Sequence, residues 1–233
     1  MEIISSKDNK KIKEARKLLT KKYRKNSYLI EGFHLLEEAL KAGRSIKQIF
    51  VEENKLTKLT EMIGSEKLLT DLSVNLVSKE VLKSLADSES PQGLIAEVTK
   101  IEEVIDFSAA KFLLLENVQD PGNVGTMIRT ADAAGFSAVI LLGETADIRM
   151  AKEDCFAQLK KAGISILTTT LSANSVSYKI INEPHFALIM GNEGAGVSDE
   201  AVKAADKLVH IDMPGQAESL NVAVAAGILM FSL

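Results

Sequence analysis

The folding pattern of the second half of the chain is set at its start by KFLLLENVQDPGNVGTMIRTADAAG, residues 111–135. Its apolar run FLLLE (112–116) predicts a buried strand, and Pro121-Gly122 predicts a turn after it. Asn123 is a good N-cap for a following helix, which Gly135 would end. A strand, a tight turn and a helix in this order are typical of α/β proteins.

The same pattern recurs to the end of the chain. Near-continuous apolar strands that alternate with helices predict a parallel sheet covered on both faces. The predicted strands are 112–116, 138–143, 165–170, 186–190 and 207–212, and the predicted helices lie near 124–134, 152–162, 198–205 and 219–232.

The first half predicts a smaller α/β unit, with Gly43 closing its second helix. Residues 1–98 are therefore assigned to one domain, 99–110 to a linker and 111–233 to a second domain. The predicted helices are 6–24, 33–42, 55–63 and 79–87, and the strands are 27–32, 46–52 and 92–98, with strands or turns near 68–71 and 75–78.

Composition narrows the class of protein. Of 233 residues, 46% are hydrophobic, enough for a core, and the single Cys155 cannot form an internal disulfide. No Cys or His spacing suits a metal, so no metal site is expected.

The N-terminus lacks a secretory h-region, and the apolar run 219–233 is too short to span a membrane. A cytoplasmic protein is expected, and the end of the chain inside an apolar helix suggests further residues.

The charge is unevenly distributed. Residues 1–26 hold ten Lys or Arg and three acidic residues, a net charge of +7, whereas the whole chain carries −4. A basic arm on an acidic body fits a polyanionic partner such as RNA, although a solvated lysine-rich helix face explains it equally well. The candidate RNA-binding residues are Lys10, Lys11, Arg16, Lys22 and Arg24.

Three glycine-containing loops each follow a predicted strand, and ligands of open α/β sheets bind beyond the carboxyl ends of strands. In the first loop, Arg129 can reach back along its helix, where a guanidinium beside free N–H groups suits a phosphate. A tight turn with a surface arginine is the plainer interpretation of this loop.

The second loop, MGNEGAGVS (190–198), has the glycine order G-x-x-G-x-G, which is neither a Rossmann fingerprint nor a P-loop. Its glycines would let the backbone approach a flat ligand or another chain segment. Glu193 would act as a capping carboxylate or hold a partner such as Arg129. In the third loop (211–231), Ser219 and Asn221 would lie in the first turn of a helix, as caps or facing a ligand.

Together the phrases NVQDPGNVGTMIRTADAAG, LIMGNEGAGVS and MPGQAESLNVAVAAGILM resemble, in order and position, the three motifs of the SpoU (TrmH-like) family of RNA ribose 2′-O-methyltransferases, in the SPOUT class. This resemblance covers Lys111 to Leu233. The segment SSKDNKKIKEARKLLTKKYRKNSYLIEGFHLLEEAL is similar to the L30e-like RNA-binding domain that many members carry.

The resemblance implies an α/β domain with a trefoil knot, which periodicity alone would not have indicated because knots are rare. It implies S-adenosylmethionine as cofactor, rRNA or, second, tRNA as substrate, and a homodimer formed through the knotted domain. The implied cofactor-binding residues are Gly191, Ile211, Leu220, Thr168, Met190 and Met213, and the implied catalytic residues are Arg129, Asn123, Glu193, Ser219 and Asn221.

The family assigns activation of the ribose hydroxyl to the counterpart of Arg129. Because arginine stays protonated in proteins, we expect Arg129 instead to bind the neighbouring phosphate and to stabilise developing alkoxide charge. Asn123, Glu193, Ser219 and Asn221 would orient it and the ribose.

The chain departs from the family pattern after Arg149, where a further helix and strand are missing. Either this member is shorter, or a segment is absent from the sequence; the second is favoured because losing a central strand would open the sheet. Two other functions are considered: a non-catalytic RNA-binding protein with a ligand-sensing domain, against which Arg129, Glu193 and the SLN triplet argue, and a small-molecule methyltransferase, against which the basic arm argues.

Overall fold

A computed structural model describes residues 2–64, 71–101, 104–145 and 151–233. The chain divides into two compact units, Met1–Glu103 and Val104–Leu233.

The first unit contains a four-stranded mixed sheet with the strand order β1-β4-β2-β3. Strands β1 and β2 pair antiparallel with β4, and β3 pairs parallel with β2. The strands are β1 (Ser27–Glu31), β2 (Ile46–Glu52), β3 (Val74–Val77) and β4 (Leu94–Thr99).

Helices cover both faces of this sheet. On β2, Phe50 packs with α1 and α4, while its neighbours Ile49 and Val51 pack with α2 and α3, so successive side chains fill opposite cores. Short 3-10 turns occupy Lys21–Tyr23 and Glu53–Lys55. The helices are α1 (Lys10–Lys17), α2 (Phe33–Lys41), α3 (Leu56–Ile63) and α4 (Lys79–Lys83).

Most predicted elements of this unit are confirmed, and Gly43 follows α2 with a φ of 64°, as a C′ glycine does. The prediction of one helix over 6–24 is wrong, because α1 ends at Lys17 and Leu18 begins a turn. Arg24 holds this turn closed by donating to the carbonyls of Leu18 and Leu19 at 2.6 and 2.9 Å. The helix predicted for 79–87 is also shorter, and residues 68–70 of the predicted segment 68–71 lie outside the described residues.

The second unit is built on a six-stranded sheet in which every pairing is parallel, with the order β6-β5-β9-β7-β10-β8. All five predicted strands are confirmed, and the two-residue edge strand β8 is additional. The strands are β5 (Lys111–Glu116), β6 (Ala138–Leu142), β7 (Ser165–Thr169), β8 (Val176–Ser177), β9 (Phe186–Met190) and β10 (Lys207–His210).

Both faces of this sheet are buried, as predicted. On β5, Leu113 and Leu115 pack into the core shared with α5 and α8, while Phe112 and Leu114 pack into the core shared with α6. A 3-10 turn occupies Tyr178–Ile180, and the helices are α5 (Pro121–Ala133), α6 (Lys152–Lys161), α7 (Asp199–Ala204) and α8 (Val222–Ser232).

Two helix starts differ from the sequence prediction. Helix α5 begins at Pro121 with Asp120 as its N-cap, so Asn123 lies in the first turn instead of capping it. Proline suits this first position because it has no N–H to leave unpaired. Helix α8 begins at Val222, which makes Asn221 its N-cap and leaves Ser219 outside the helix.

The segment predicted as a linker contributes to the second unit. Ile105, Phe107 and Ala109 pack against the core on the α6 face, and the ring of Phe107 stacks on Phe112 with centroids 5.8 Å apart.

Cys155 of α6 lies in the same core, and burial raises the pKa of its thiol to about 11. No described helix is long and apolar enough to cross a membrane. Within the same residues, no three His, Cys, Asp or Glu side chains group as a metal site would require.

The predicted break after Arg149 falls at residues 146–150, which lie outside the described residues. The sheet is nevertheless continuous from β6 to β8. The expectation that a missing strand would open the sheet is therefore wrong, because β5, β9, β7 and β10 pair directly with one another.

Candidate active site

The second unit has a cavity of about 750 Å³ at the carboxyl ends of β7, β9 and β10. This is the edge of the sheet at which the sequence predicts a ligand, and the volume falls within the usual range for small-molecule sites. The second loop forms one wall, and the third loop with the start of α8 forms another.

The second loop closes on itself through its backbone. Asn192 and Gly196 exchange two hydrogen bonds, of 2.9 and 3.0 Å, and the side-chain oxygen of Asn192 accepts from the N–H groups of Gly194 and Ala195. A Cβ on Gly191 would lie 2.3 Å from the backbone carbon of Gly196. Gly191 is therefore required for the approach of another chain segment, one of the two roles that the sequence left open.

Asn192 also connects the second loop to the first, by donating from Nδ2 to the carbonyl of Asn117 at 2.9 Å. Asn117 has a φ of 55°, a left-handed conformation that asparagine tolerates better than most residues. Neither asparagine was predicted as a site residue, although each follows closely on a predicted strand, where asparagine is typical of a turn.

A chain of amide hydrogen bonds joins all three loops. The Oδ1 atom of Asn221 accepts from the N–H groups of Ala223 and Val224, so the Nδ2 atom of Asn221 must point away from the helix. This Nδ2 donates to Oδ1 of Asn123 at 3.2 Å. Asn123 in turn donates from Nδ2 to Oε1 of Glu193 at 2.9 Å. Asn123, Glu193 and Asn221, which the sequence predicted as site residues, thus lie together.

The hydrogen bond from Asn123 holds the pKa of the Glu193 carboxyl below its usual range, and backbone N–H groups of Gln119 and Asp120 add to the effect. Glu193 is therefore a carboxylate at neutral pH. It receives the Gln119 N–H at 3.4 Å, just before α5, so the capping interpretation of Glu193 is the one that the geometry supports.

Arg129 lies on the exposed side of α5. Within the described part of the chain it makes no hydrogen bond or ion pair, with Glu193 or any other residue. Its guanidinium donors are therefore available to a ligand. Ser219 is exposed and lines the cavity next to Leu220.

A buried ion pair that no sequence pattern indicated anchors the second loop. The Glu116 side chain at the end of β5 is fully buried and accepts from Nζ of Lys152 at 2.7 Å, and from the N–H and hydroxyl of Ser198 at 2.8 and 2.7 Å. Burial alone would raise the pKa of Glu116, but these hydrogen bonds outweigh it and lower the pKa. These contacts hold the end of the second loop against the start of the first loop.

Five of the six predicted cofactor residues line the cavity: Met190, Gly191, Ile211, Met213 and Leu220. Thr168 does not. It is fully buried, and its hydroxyl donates to the carbonyl of Ala201 on the opposite face of the sheet. Its neighbours Thr169 and Thr170 line the cavity instead, a one-residue shift that turns the side chain to the other face.

The ionisable side chains of the cavity are Glu193, Asp199 and His210, and none of the described lining residues is Lys or Arg. The remaining lining is apolar or offers backbone groups. Such a site suits a ligand with an apolar body and a net positive charge, which is the chemistry of a sulfonium cofactor.

The predicted RNA-binding residues lie in the first unit, on or just after α1. Lys10 and Lys22 are exposed. Lys11 donates to Oδ1 of Asn75 at 2.7 Å, and Arg16 donates to the carbonyl of Lys7. Arg24, as described above, closes the end of α1.

Comparisons with known proteins agree with this geometry. The SpoU rRNA Methylase family model matches residues 110–152 and 148–231, so the match is divided at the point where the chain departs from the family pattern. A model of an MRM3-like substrate binding domain matches residues 9–96.

Relatives match over most or all of the chain. The 23S rRNA (guanosine(2553)-2′-O)-methyltransferase RlmP of Bacillus subtilis is 40% identical over 254 aligned positions, covering 100% of this chain and 99% of the relative. A 23S rRNA (guanosine-2′-O-)-methyltransferase RlmB of Shewanella oneidensis is 32% identical over 240 positions, covering 89% of this chain and 96% of the relative.

The crystal structure of an AdoMet-bound rRNA methyltransferase from Sinorhizobium meliloti is also similar. It is 30% identical, with a TM-score of 0.83 over 99% of this chain and 96% of that one. The predictions of an α/β fold with a parallel sheet, of an enzyme and of S-adenosylmethionine as cofactor are confirmed. The chain belongs to the SpoU rRNA methylase family, and it is an S-adenosylmethionine-dependent RNA methyltransferase.

Proposed function

We propose that this enzyme methylates the ribose 2′-oxygen of a guanosine in large-subunit ribosomal RNA. The observation that carries the proposal is the identity over nearly the whole chain to 23S rRNA guanosine 2′-O-methyltransferases, and the amide chain from Asn221 through Asn123 to Glu193 supports it by assembling three distant loops beside the cavity. The position that the B. subtilis relative is named for, guanosine 2553 of 23S rRNA, is the first candidate, because identity to that protein extends over the whole chain.

The cavity residues fit S-adenosylmethionine, which supplies a methyl group activated by its bond to a positively charged sulfur. Backbone groups of Gly191 and Ile211 and the side chains of Met190, Met213 and Leu220 would hold it. The carboxylates of Glu193 and Asp199 would favour its positive charge.

Arg129 would bind the phosphate beside the target ribose and stabilise the charge that develops on the 2′-oxygen. Its guanidinium has no partner among the described residues and stays protonated, so it acts as a donor and not as a base. The lowered pKa of Glu193 likewise makes this carboxylate a weak base. Its role would be to hold Asn123, while Asn221 and Ser219 orient the ribose.

The role of Arg129 is tested by Arg129→Lys. Lysine keeps the charge but lacks the planar fork, so we expect kcat/KM to fall by about 10- to 100-fold, the size of a lost bidentate contact to an oxyanion. An Arg129→Lys enzyme with wild-type kcat/KM would contradict this role.

We also propose a homodimer formed through the second unit, as the family resemblance implies. Helices α5 and α8 pack against each other and leave Ile128, Val224 and Phe231 exposed, at 43%, 54% and 68% of their surfaces. Apolar side chains on two adjacent helices are typical of a subunit interface. Sedimentation of the wild type and of Phe231→Glu tests this proposal, since only the wild type should be dimeric.

The trefoil knot, the absence of a metal requirement and the division into an RNA-binding domain (1–98) and a methyltransferase domain (111–233) remain proposals on the same basis. The cytoplasm is the proposed location, because ribosomal RNA is the proposed substrate.

The experiment that tests the function is mapping of ribose methylation in ribosomal and transfer RNA from cells with and without the gene, complemented by the wild type or by Arg129→Ala. We expect one 2′-O-methylguanosine of large-subunit RNA to disappear and only the wild type to restore it. A lost methyl on tRNA would contradict the substrate, and an unchanged map would contradict the function.

A further inference from the structure

We propose that a cleft in the first unit binds an unpaired segment of RNA, with a base stacked on Tyr23 and backbone phosphates on Lys22 and Lys25. The inference rests on the RNA substrate of the proposed function and concerns a different site. The cleft has a volume of about 960 Å³ and lies between α1, the turn after it and the edge of the sheet. The residues that line it are Lys11, Glu14, Leu18, Lys22, Tyr23, Lys25, Asn26, Ser27, Lys47, Gln48 and Glu97.

The floor of the cleft is a buried polar cluster. Glu97 on β4 is 4% exposed, and its carboxylate accepts from the hydroxyl of Ser27 at 2.6 Å, from Nε2 of Gln48 at 2.6 Å and from Nζ of Lys47 at 3.0 Å. Burial favours the neutral carboxyl, but these hydrogen bonds dominate and lower the pKa of Glu97. Such a cluster fixes the positions of Lys47 and Gln48 before any ligand arrives.

A β-bulge produces this cluster. The register of β2 against β4 shifts between Ile46 and Gln48, so Lys47 is an extra residue opposite Glu97. In a regular strand, Lys47 and Gln48 would point to opposite faces, whereas here both reach the same carboxylate. Bulges commonly redirect side chains beside functional sites.

The rim combines an aromatic ring with exposed positive charges. Tyr23 is 46% exposed, and Nζ of Lys22 lies 4.9 Å from the centroid of its ring. Lys25 is exposed and has no partner among the described residues. Arg24, between them in sequence, is tied to the carbonyls of Leu18 and Leu19, so it holds the turn that presents Tyr23.

These features favour a single strand over a duplex. An exposed aromatic ring beside lysines is the arrangement on which unpaired bases stack, whereas the bases of a duplex already stack on one another. Four lysines against two acidic residues in the lining favour a polyanion. An acidic protein segment would use the lysines but leave Tyr23 without a stacking partner.

Fluorescence anisotropy with the full chain tests the proposal, with a labelled single-stranded RNA decamer and an RNA duplex of the same length as probes. We expect Tyr23→Ala to weaken decamer binding about tenfold, as loss of one base–aromatic stack does, and Tyr23→Phe to retain it. Lys25→Ala should reduce the slope of log K against log salt by about 0.7, the value for one phosphate of a single strand. Lys83→Ala, an exposed lysine on α4 outside the cleft, is the matched control and should bind as the wild type does.

Wild-type binding by both Tyr23→Ala and Lys25→Ala would overturn the proposal. So would an equal loss of duplex binding in Tyr23→Ala, or stronger competition by poly-glutamate than by unlabelled RNA. Because Tyr23 and Lys25 are exposed, circular dichroism should show the wild-type fold in each variant. If the enzyme methylates ribosomal RNA but binds the decamer independently of Tyr23, only the proposal for the cleft is contradicted. If decamer binding depends on Tyr23 but the methylation map is unchanged, only the proposed function is contradicted.

Discussion

Gly191→Ala is expected to destabilise the second loop and weaken cofactor binding. The added Cβ would lie 2.3, 2.4 and 2.5 Å from the backbone C and O of Gly196 and the N of Val197. None of these atoms belongs to a flexible side chain, so one strand of the loop must move by about 1 Å to reach ordinary contact distance.

The size of the destabilisation follows from the contacts that this movement breaks. The two hydrogen bonds between Asn192 and Gly196 contribute about 1 kcal/mol each, and overpacking costs a further 1–3 kcal/mol or so. We therefore expect the free energy of unfolding of the second unit to fall by about 3–5 kcal/mol. Because the same loop lines the cavity, calorimetry should show at least a tenfold rise in the Kd for S-adenosylmethionine, since about 1.4 kcal/mol of lost binding energy suffices.

Gly194→Ala is the matched control, since it changes a glycine of the same loop whose added Cβ would meet nothing closer than Oδ1 of Asn192 at 3.7 Å. Its stability should stay within about 0.5 kcal/mol of the wild type. Denaturant unfolding, with hydrogen exchange of the Asn192 and Gly196 amides as the local measurement, compares the two variants. If Gly191→Ala matched Gly194→Ala in both measurements, the close approach of the loop backbone would not determine its stability.

Three further variants test the connections around the cavity. Asn123→Asp would place a second carboxylate against Glu193, so methylation at pH 7.5 should fall about 100-fold, as misplaced catalytic groups do, and should recover in part as the pH is lowered. Asn221→Asp keeps the N-cap of α8 but loses the amide donor to Asn123, so thermal unfolding should be unchanged while kcat falls; a wild-type kcat in Asn221→Asp would mean that capping is its whole role. Glu116→Gln leaves Lys152 without its buried partner, so urea unfolding should show a loss of about 3 kcal/mol, the lower end for a broken buried pair because Lys152 is 19% exposed. The pKa of Glu116 in the folded protein lies below its ordinary value of 4.5. The stability that this carboxylate contributes is therefore complete above pH 4.5 and is lost as the pH falls through the folded-state pKa. Below pH 4.5, the free energy of unfolding of Glu116→Gln should depend less on pH than that of the wild type.

The strands and helices of the second unit were easier to predict than those of the first, because in its sequence the hydrophobic pattern and the turn residues indicate the same elements. Apolar runs such as FLLLE are typical of central parallel strands buried on both faces, and this one is followed by a turn and a helix. The positions of Asn123, Glu193 and Asn221 followed from the loops, because parallel strands bring their carboxyl ends to one edge.

Other features could not be predicted from local patterns. The start of α5 was misplaced because both Asp120 and Asn123 are good caps, and only the geometry of Pro121 decides between them. The side chain of Thr168 could not be placed from the sequence because a one-residue difference reverses the face of a strand, and SILTTT contains three consecutive threonines.

Contacts between residues that are far apart in the sequence were harder still to predict. Glu116 pairs with Lys152 and Ser198, which are 36 and 82 residues away, and no short motif joins them. Likewise the bulge at Lys47 depends on which residue of β4 lies opposite, so neither β2 nor β4 alone predicts the polar floor of the cleft.

The buried thiol of Cys155 gives the protein a natural reporter of its own opening. It is the chain's only cysteine, and a pKa of about 11 keeps it almost entirely protonated and unreactive at neutral pH while α6 stays packed. A thiol reagent will therefore modify the molecule at one atom, and only when the second unit opens. The rate of that modification, with and without S-adenosylmethionine, measures how far the cofactor slows this opening, with no label introduced by mutation.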